Sequence, residues 1–134
     1  MSTETIARAT LAAVSPLFIV RDIQHALAFY RDRLGFEVTY LAPDPAPFFA
    51  VVRRDGVQFL LKVAGDVEAV PNRRRHEDAR WDAYVHVPDP EALATELRAR
   101  DVTFATPLAD TDDGLRGFEL TDHDGYVLFF GRPR

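Results

Sequence analysis

The chain has 134 residues, of which 47% are hydrophobic, and a formal net charge of −5. This size suits one compact domain, and the acidic balance argues against nucleic acid as a partner, because phosphate binding needs clustered Lys and Arg. The lack of cysteine excludes disulfides and thiolate chemistry. Because no apolar run reaches the roughly 18 residues of a membrane span and the first residues lack a signal-peptide pattern, we expect a cytoplasmic protein with no membrane partner.

The first part of the chain predicts an arm followed by one structural unit. Residues 1–14 are weakly patterned and predict a tail, a short helix or an arm that reaches a partner subunit. Residues 15–63 predict a strand over 15–20, a helix that begins after Asp22 and ends at Gly35, and a strand over 36–41. A proline-rich loop then leads to a hairpin of strands 48–53 and 57–63 that turns at Asp55-Gly56.

The second part predicts the same elements in the same order. A mixed-charge connection over residues 64–80 leads to a second unit, residues 81–134. This unit is predicted to contain a strand over 82–87, a helix over 89–100, a strand over 102–105, an Asp-rich loop and a hairpin that turns at Asp124-Gly125.

The two units match residue by residue, which indicates an internal repeat. An offset of 67 carries Leu97 onto Tyr30, and an offset of 69 carries Phe118 onto Phe49 and Phe129 onto Leu60. An internal repeat has to be recognised before the fold is assigned. We therefore predict an α+β fold of two tandem βαβββ modules whose mixed sheets form a cup.

The alternation of side chains along the strands predicts which of them line this cup. The apolar positions predicted to face the helices are Phe18, Val20, Val57, Phe59, Leu61, Val85, Val87, Tyr126, Leu128 and Phe130. The positions predicted to face the cup are Ser15, Leu17, Ile19, Gln58, Leu60, Lys62, Asp82, Tyr84, His86, Val127 and Phe129.

Several of these residues have two interpretations. Asp82 is either an anion that pairs with a ligand cation or a solvated residue at the rim. Trp81 either stacks on a ligand or packs between the units, and His86 is either a general base or a polar wall residue. Either Phe48 or Phe49 points away from the helix and supplies an aromatic wall. His25, His76 and His123 are predicted to be exposed, and the histidines show no metal-ligand spacing along the sequence.

Three stretches carry a resemblance to a known family. They read VRDIQHALAFYRDRLGFEV over 20–38, VPDPEALATELRARDVTF over 87–104 and FELTDHDGYVLFF over 118–130. In order and in spacing they resemble the vicinal oxygen chelate superfamily, which includes glyoxalase I, extradiol dioxygenases, fosfomycin-modifying enzymes and the bleomycin resistance proteins. The bleomycin resistance branch is similar in having a proline near the first strand, as Pro16 is here, and a tryptophan at the start of the second unit, as Trp81 is here.

The resemblance also implies where a metal would bind. Enzymes of this superfamily hold a divalent ion with His, Glu or Gln at four repeat-related places, which correspond here to Ser15, Leu60, Asp82 and Phe129. Because Leu and Phe supply no donor atom, the resemblance predicts no metal and no cofactor in this chain.

The sequence therefore favours a metal-free homodimer that binds a cationic or aromatic small molecule, as proteins that sequester antibiotics do. The predicted binding residues are Leu17, Ile19, Phe49, Gln58, Leu60, Trp81, Asp82, Tyr84, His86 and Phe129. Two alternatives remain. One is a metal-dependent lyase, isomerase or dioxygenase with ligands at other positions, and the other is an assembly or sensor module without a ligand.

Overall fold

The structure, a computed structural model, describes residues 5–134. Residues 5–14 have no regular secondary structure and are exposed, and the side chains of Ile6, Leu11 and Val14 are at least 88% exposed. The first four residues of the predicted arm lie outside the described residues. Within the described range, no helix is long and apolar enough to cross a bilayer.

The first unit contains four strands and one helical segment. These are β1 (Leu17–Ile19), α1 (Ile23–Leu27), which continues as a π-helix (Ala28–Arg33), β2 (Glu37–Ala42), β3 (Phe49–Arg54) and β4 (Val57–Lys62). Helix α1 begins where predicted because the Asp22 carboxylate accepts a hydrogen bond from the His25 backbone N–H at 3.0 Å. The chain leaves the helix through Gly35, whose φ of +73° is a conformation that glycine adopts without strain.

The second unit repeats this order after a short helix in the connection. Its elements are α2 (Asn72–Arg75), β5 (Ala83–His86), α3 (Pro90–Ala99), β6 (Thr106–Asp110), β7 (Leu115–Thr121) and β8 (Val127–Pro133). Asp89 caps α3 by accepting from the Ala92 backbone N–H at 3.1 Å, and Pro90 fits the first helical position because its missing N–H has no partner there.

The strand predicted over 102–105 is wrong, since β6 begins only at Thr106. The apolar signal of this segment comes from packing, because the Phe104 ring stacks on Phe118 with centroids 4.8 Å apart. The chain turns from β6 into β7 at Gly114, whose φ of +87° suits glycine. The residues that pair with β7 are therefore those of β6, nearer to this turn than the predicted strand.

Each unit forms one four-stranded mixed sheet, ordered β1-β4-β3-β2 and β5-β8-β7-β6. The parallel pairs have repeat-related registers, because Leu17 pairs with Leu60 and Tyr84 pairs with Phe129. The predicted match of Phe118 with Phe49 is wrong by one residue. Phe118 lies opposite Phe130 and is fully buried, as Ala50 lies opposite Leu61 in the first unit, so Phe118 corresponds to Ala50. The turn between β7 and β8 is longer than the turn between β3 and β4, and this extra length shifts the offset.

The two units share one hydrophobic core. It includes Leu27 and Tyr30 of the first helical segment, Ala94 and Leu97 of α3, and the helix-facing side chains of both sheets. The predicted helix-facing residues Phe18, Val20, Phe59, Leu61, Val85, Tyr126, Leu128 and Phe130 are all buried. The predicted tandem βαβββ architecture is therefore confirmed.

Candidate functional site

A cluster of buried polar side chains ties the two units together. The Tyr30 hydroxyl of the first unit donates to the Asp122 carboxylate of the second at 2.8 Å, and the Tyr126 hydroxyl donates to the Ile19 carbonyl at 2.8 Å. The Arg21 backbone N–H donates to one oxygen of Asp124 at 2.9 Å, and its side chain pairs with the same oxygen at 3.1 Å. These contacts fix the angle between the units and hence the shape of the space between them.

Burial perturbs the ionisation of this cluster. It raises the pKa of Asp122 to about 6, although Tyr30 and two backbone N–H groups donate to the carboxylate. Burial, together with the nearby Asp122 charge, raises the pKa of Tyr30 well above its ordinary value. Both groups hold the units in place, and neither borders the large groove described next.

A groove of about 1050 Å³ lies between the units. Its walls come from the β3–β4 hairpin and the end of the helical segment in the first unit, and from β5 and α3 in the second. Apolar side chains dominate these walls, among them Leu34, Phe36, Val57, Val85, Leu93 and Leu97. A concave, mostly apolar space of this size is typical of a small-molecule site.

Charged side chains border the same groove. Arg54 forms a two-pronged ion pair with Glu96, with N–O distances of 2.9 and 2.7 Å, and this pairing lowers the pKa of Glu96. Asp55 and Asp89 also lie on the groove wall. Arg54 also lies 3.9 Å from the Asp55 carboxylate, so the carboxylates of Asp55, Asp89 and Glu96 outnumber this guanidinium and leave the groove with an acidic balance.

Four of the predicted binding residues line the groove: Gln58, Asp82, Tyr84 and His86. The Tyr84 and His86 rings lie 4.4 Å apart between centroids. The Tyr84 hydroxyl is buried and has no hydrogen-bond partner within residues 5–134. The Gln58 amide donates to the Ser15 hydroxyl at 2.9 Å, which holds the start of β4 to the segment before β1.

The Asp82 carboxylate already has partners in the protein. One oxygen accepts from the Asn72 backbone N–H and the other from the Val127 backbone N–H, each at 2.8 Å. These bonds anchor the connection to the start of β8. The negative charge remains at the groove, but both oxygens are engaged in holding the backbone.

Trp81 and Phe129 lie outside the groove lining and form an aromatic stack on the open face of the second sheet. Their centroids are 4.5 Å apart, and the Trp81 indole N–H donates to Glu119 at 2.6 Å. Phe129 is only 2% exposed because Trp81 covers it and its ring crosses the strands at Gly117 and Gly131. A Cβ at either glycine would lie 2.6 Å from that ring, so the close approach requires glycine there.

The remaining predicted binding residues lie on the open face of the first sheet. Leu17 pairs with Leu60, and Lys62 lies between Ile19 and Phe49. Leu17 is 49% exposed, while Ile19, Phe49 and Leu60 are partly buried. These four residues do not line the groove; they form a separate apolar surface with Tyr40, which is 56% exposed.

The donor atoms at the four places that bind metal in related enzymes do not fit a divalent ion. The Ser15 hydroxyl accepts from Gln58, Asp82 is engaged by two backbone N–H groups, and Leu60 and Phe129 have no donor atom. Across residues 5–134, no cluster of three or more His, Asp or Glu side chains could hold a metal. These four positions therefore do not supply the converging donor atoms that a divalent ion needs.

Sequence reasoning missed the groove residues outside the predicted cup face. Leu93 and Glu96 belong to α3, and Arg54 belongs to the end of β3. The only sequence signal for the ion pair was an Arg immediately before the Asp55-Gly56 turn and an acidic residue within an otherwise amphipathic helix. That signal is too common to identify a contact between units.

Comparisons with known proteins agree with the fold. The family model described as Glyoxalase/Bleomycin resistance protein/Dioxygenase superfamily matches residues 10–130. The bleomycin-binding protein from bleomycin-producing Streptomyces verticillus, solved with copper(II)-bleomycin, is 24% identical with a TM-score of 0.68, over 95% of this chain and 100% of that one. TioX from Micromonospora sp. ML1 is 18% identical with a TM-score of 0.70, over 91% and 98% of the two chains.

A superfamily member from Sphaerobacter thermophilus is 26% identical with a TM-score of 0.61, over 91% of this chain and 97% of that one. The search of curated proteins finds no match. The family model covers both repeated units and the groove between them. This chain belongs to the glyoxalase/bleomycin resistance protein/dioxygenase superfamily.

Proposed function

We propose that this protein binds a small cationic, partly aromatic molecule without a metal and without turning it over. The observation that carries this proposal is the groove of about 1050 Å³, which combines apolar walls with an acidic balance. A binding site needs a shaped apolar surface and a few polar groups, and the groove provides both. The lack of suitable donors at Ser15, Leu60, Asp82 and Phe129 supports binding over metal-dependent catalysis.

The charges around the groove support a cationic ligand. Asp55 and Asp89 border it from different units, and Asp82 is a third carboxylate in its lining. A ligand amine placed there would be attracted to these charges, and the attraction strengthens as the ligand excludes water. The Tyr84 and His86 rings offer a surface for an aromatic part of the ligand.

The direct test is calorimetric titration with copper(II)-bleomycin, a second basic aromatic antibiotic and an acidic aromatic compound. We expect binding of the two cations and none of the acid. Ala92→Trp places a large ring in the groove and is expected to weaken binding at least tenfold. Thr95→Trp is the matched control, because Thr95 lies on the same helix, is exposed and does not line the groove. Equal affinity of both variants, or tighter binding of the acid, would overturn the proposal.

We further propose that such binding confers antibiotic resistance by sequestration. Expression of the wild-type protein in a sensitive bacterium is expected to raise the inhibitory concentration of a basic aromatic antibiotic that the purified protein binds. Expression of Ala92→Trp at the same level should not. An equal rise with both proteins would rule out sequestration in the groove.

A homodimer is also part of the proposal. The open face of the first sheet exposes Leu17 and Tyr40, and among residues 5–134 each of β1 and β5 pairs with a strand on one side only. Covering such surfaces with a second copy removes apolar area and free strand edges from water. Light scattering coupled to size-exclusion chromatography should show a dimer at micromolar concentration, and Tyr40→Glu should shift it towards monomer. Val67→Glu, exposed on the connection, is the control. A wild-type monomer would refute this assembly.

The metal-dependent alternative is tested separately by elemental analysis of untagged protein purified without chelator. We expect no metal whose retention depends on Asp82. Stoichiometric Zn, Ni, Fe or Mn that is lost in Asp82→Asn would support an enzyme and overturn the binding function.

A further inference from the structure

Two histidines from different units lie close together on the surface, and neither belongs to the predicted binding site. His25 in α1 and His123 in the β7–β8 turn are both exposed, and their ring centroids are 4.6 Å apart with an angle of 63° between the planes. The two histidines are far apart in the sequence and come together only because the two units pack against each other. Two adjacent imidazoles are a common nitrogen ligand pair for borderline divalent ions.

Hydrogen bonds hold the backbone segments that carry the two histidines. Asp22 caps the helix turn that carries His25, with a bond of 3.0 Å to the His25 backbone N–H. On the other side, the Arg21 guanidinium donates to the His123 carbonyl at 2.9 Å and to Asp124 at 3.1 Å. An ion that binds both rings therefore has to order their side chains but not the backbone that carries them.

Both rings border a cavity of about 280 Å³, which also contacts Phe29, Arg33, Thr121 and Asp122. This volume accommodates an ion with several waters. The Arg33 guanidinium opposes a cation, but it is directed to the Arg100 carbonyl at 3.0 Å.

The ring separation also suits a shared ion. With metal–nitrogen distances of about 2.1 Å and an angle of roughly 90–109° at the metal, two imidazole centres lie about 4.5–5.2 Å apart. We propose that His25 and His123 form a two-imidazole site for Zn²⁺, Ni²⁺ or Cu²⁺, with water as the remaining ligands, and that the bound ion links the first unit to the second.

The test uses untagged full-length protein titrated with ZnCl₂, NiCl₂ or CuCl₂, with MgCl₂ as the negative control. We expect one ion per chain, a rise in the melting temperature, and a Cu²⁺ electron paramagnetic resonance spectrum with nitrogen ligands. His25→Ala and His123→Ala should each weaken binding at least tenfold and remove the rise. Because both side chains are exposed, both variants are expected to fold, which circular dichroism checks.

His76→Ala and His86→Ala are the matched controls and should bind the ion as the wild type does. Ala92→Trp and Asp82→Asn should also retain it, which separates this site from the groove and from the metal positions of related enzymes. Wild-type protein that binds none of the three ions, or His25→Ala and His123→Ala variants with wild-type affinity, would overturn the site.

Discussion

The ionisation of Asp122 depends strongly on folding, because this side chain is only 7% exposed. Its pKa is raised from 3.8 to about 6, and burial is the largest cause. A carboxyl whose pKa rises on folding holds its proton more tightly in the folded state. Its contribution to stability is therefore greatest at acidic pH and is lost as the pH rises through 6.

This shift predicts the effect of Asp122→Asn. An asparagine can still accept from the two backbone N–H groups and can donate to the Tyr30 oxygen, but it carries no charge. The free energy of unfolding of the variant minus that of the wild type should be about 2 kcal/mol larger at pH 7.5 than at pH 4.5. Urea unfolding at the two pH values measures this difference. A difference that does not change with pH would show that Asp122 is not the titrating group.

The Tyr84 hydroxyl, which has no hydrogen-bond partner in the part of the chain that the structure describes, gives a second prediction at the scale of one residue. A buried polar group without a partner costs about 1–3 kcal/mol, so Tyr84→Phe should stabilise the ligand-free protein by about 1 kcal/mol. If a ligand supplies the missing partner after the ring rotates, the same variant should bind that ligand more weakly. Thermal unfolding and calorimetric titration test the two effects. Destabilisation by Tyr84→Phe would show that the hydroxyl has a partner.

At the scale of single elements, helix α3 depends on its first residue. Asp89→Ala removes the acceptor of the Ala92 backbone N–H and should lower the free energy of unfolding by about 1 kcal/mol. Asp112→Ala, an exposed acidic residue in a loop, controls for the change in charge and should have little effect. Chemical denaturation with circular dichroism detection distinguishes the two variants. Equal losses in both would mean that charge, and not the cap, is responsible.

The helices and the hairpin turns could be predicted from the sequence because their signals are local. Asp22 and Asp89 stand one residue before their helices, and Gly56 and Gly125 mark the turns. Strand β6 could not be placed, because the apolar signal at Phe104 comes from the packing of its ring on Phe118. The single-residue shift at Phe118 was also hidden, since only the length of a turn produces it.

At the scale of the whole molecule, one core joins the two units, so we expect them to unfold together. Leu61→Ala in the first unit should lower stability by about 2–5 kcal/mol. The fluorescence of Trp81, which lies in the second unit, should report the same midpoint as circular dichroism. Lys62→Ala, an exposed neighbour, is the control. Separate midpoints for the two signals would show that the units unfold independently.

The candidate site could be predicted only in part. Strand alternation placed Tyr84 and His86 on the open side of β5, and both border the groove. It could not show that Trp81 covers Phe129, or that two backbone N–H groups engage Asp82. The walls supplied by Leu93 and Glu96 depend on how the units pack, which no short sequence pattern encodes.

The bond between Tyr30 and Asp122 makes the two halves of the repeat non-interchangeable. Leu97 stands at the place of Tyr30 in the second half and has no hydroxyl to donate. A protein built from two copies of the first half would lack the acceptor, and one built from two copies of the second half would bury the acceptor without its donor. Circular permutation through residues 64–80 would keep both the donor and the acceptor, so the order of the two units can change, but neither unit can replace the other.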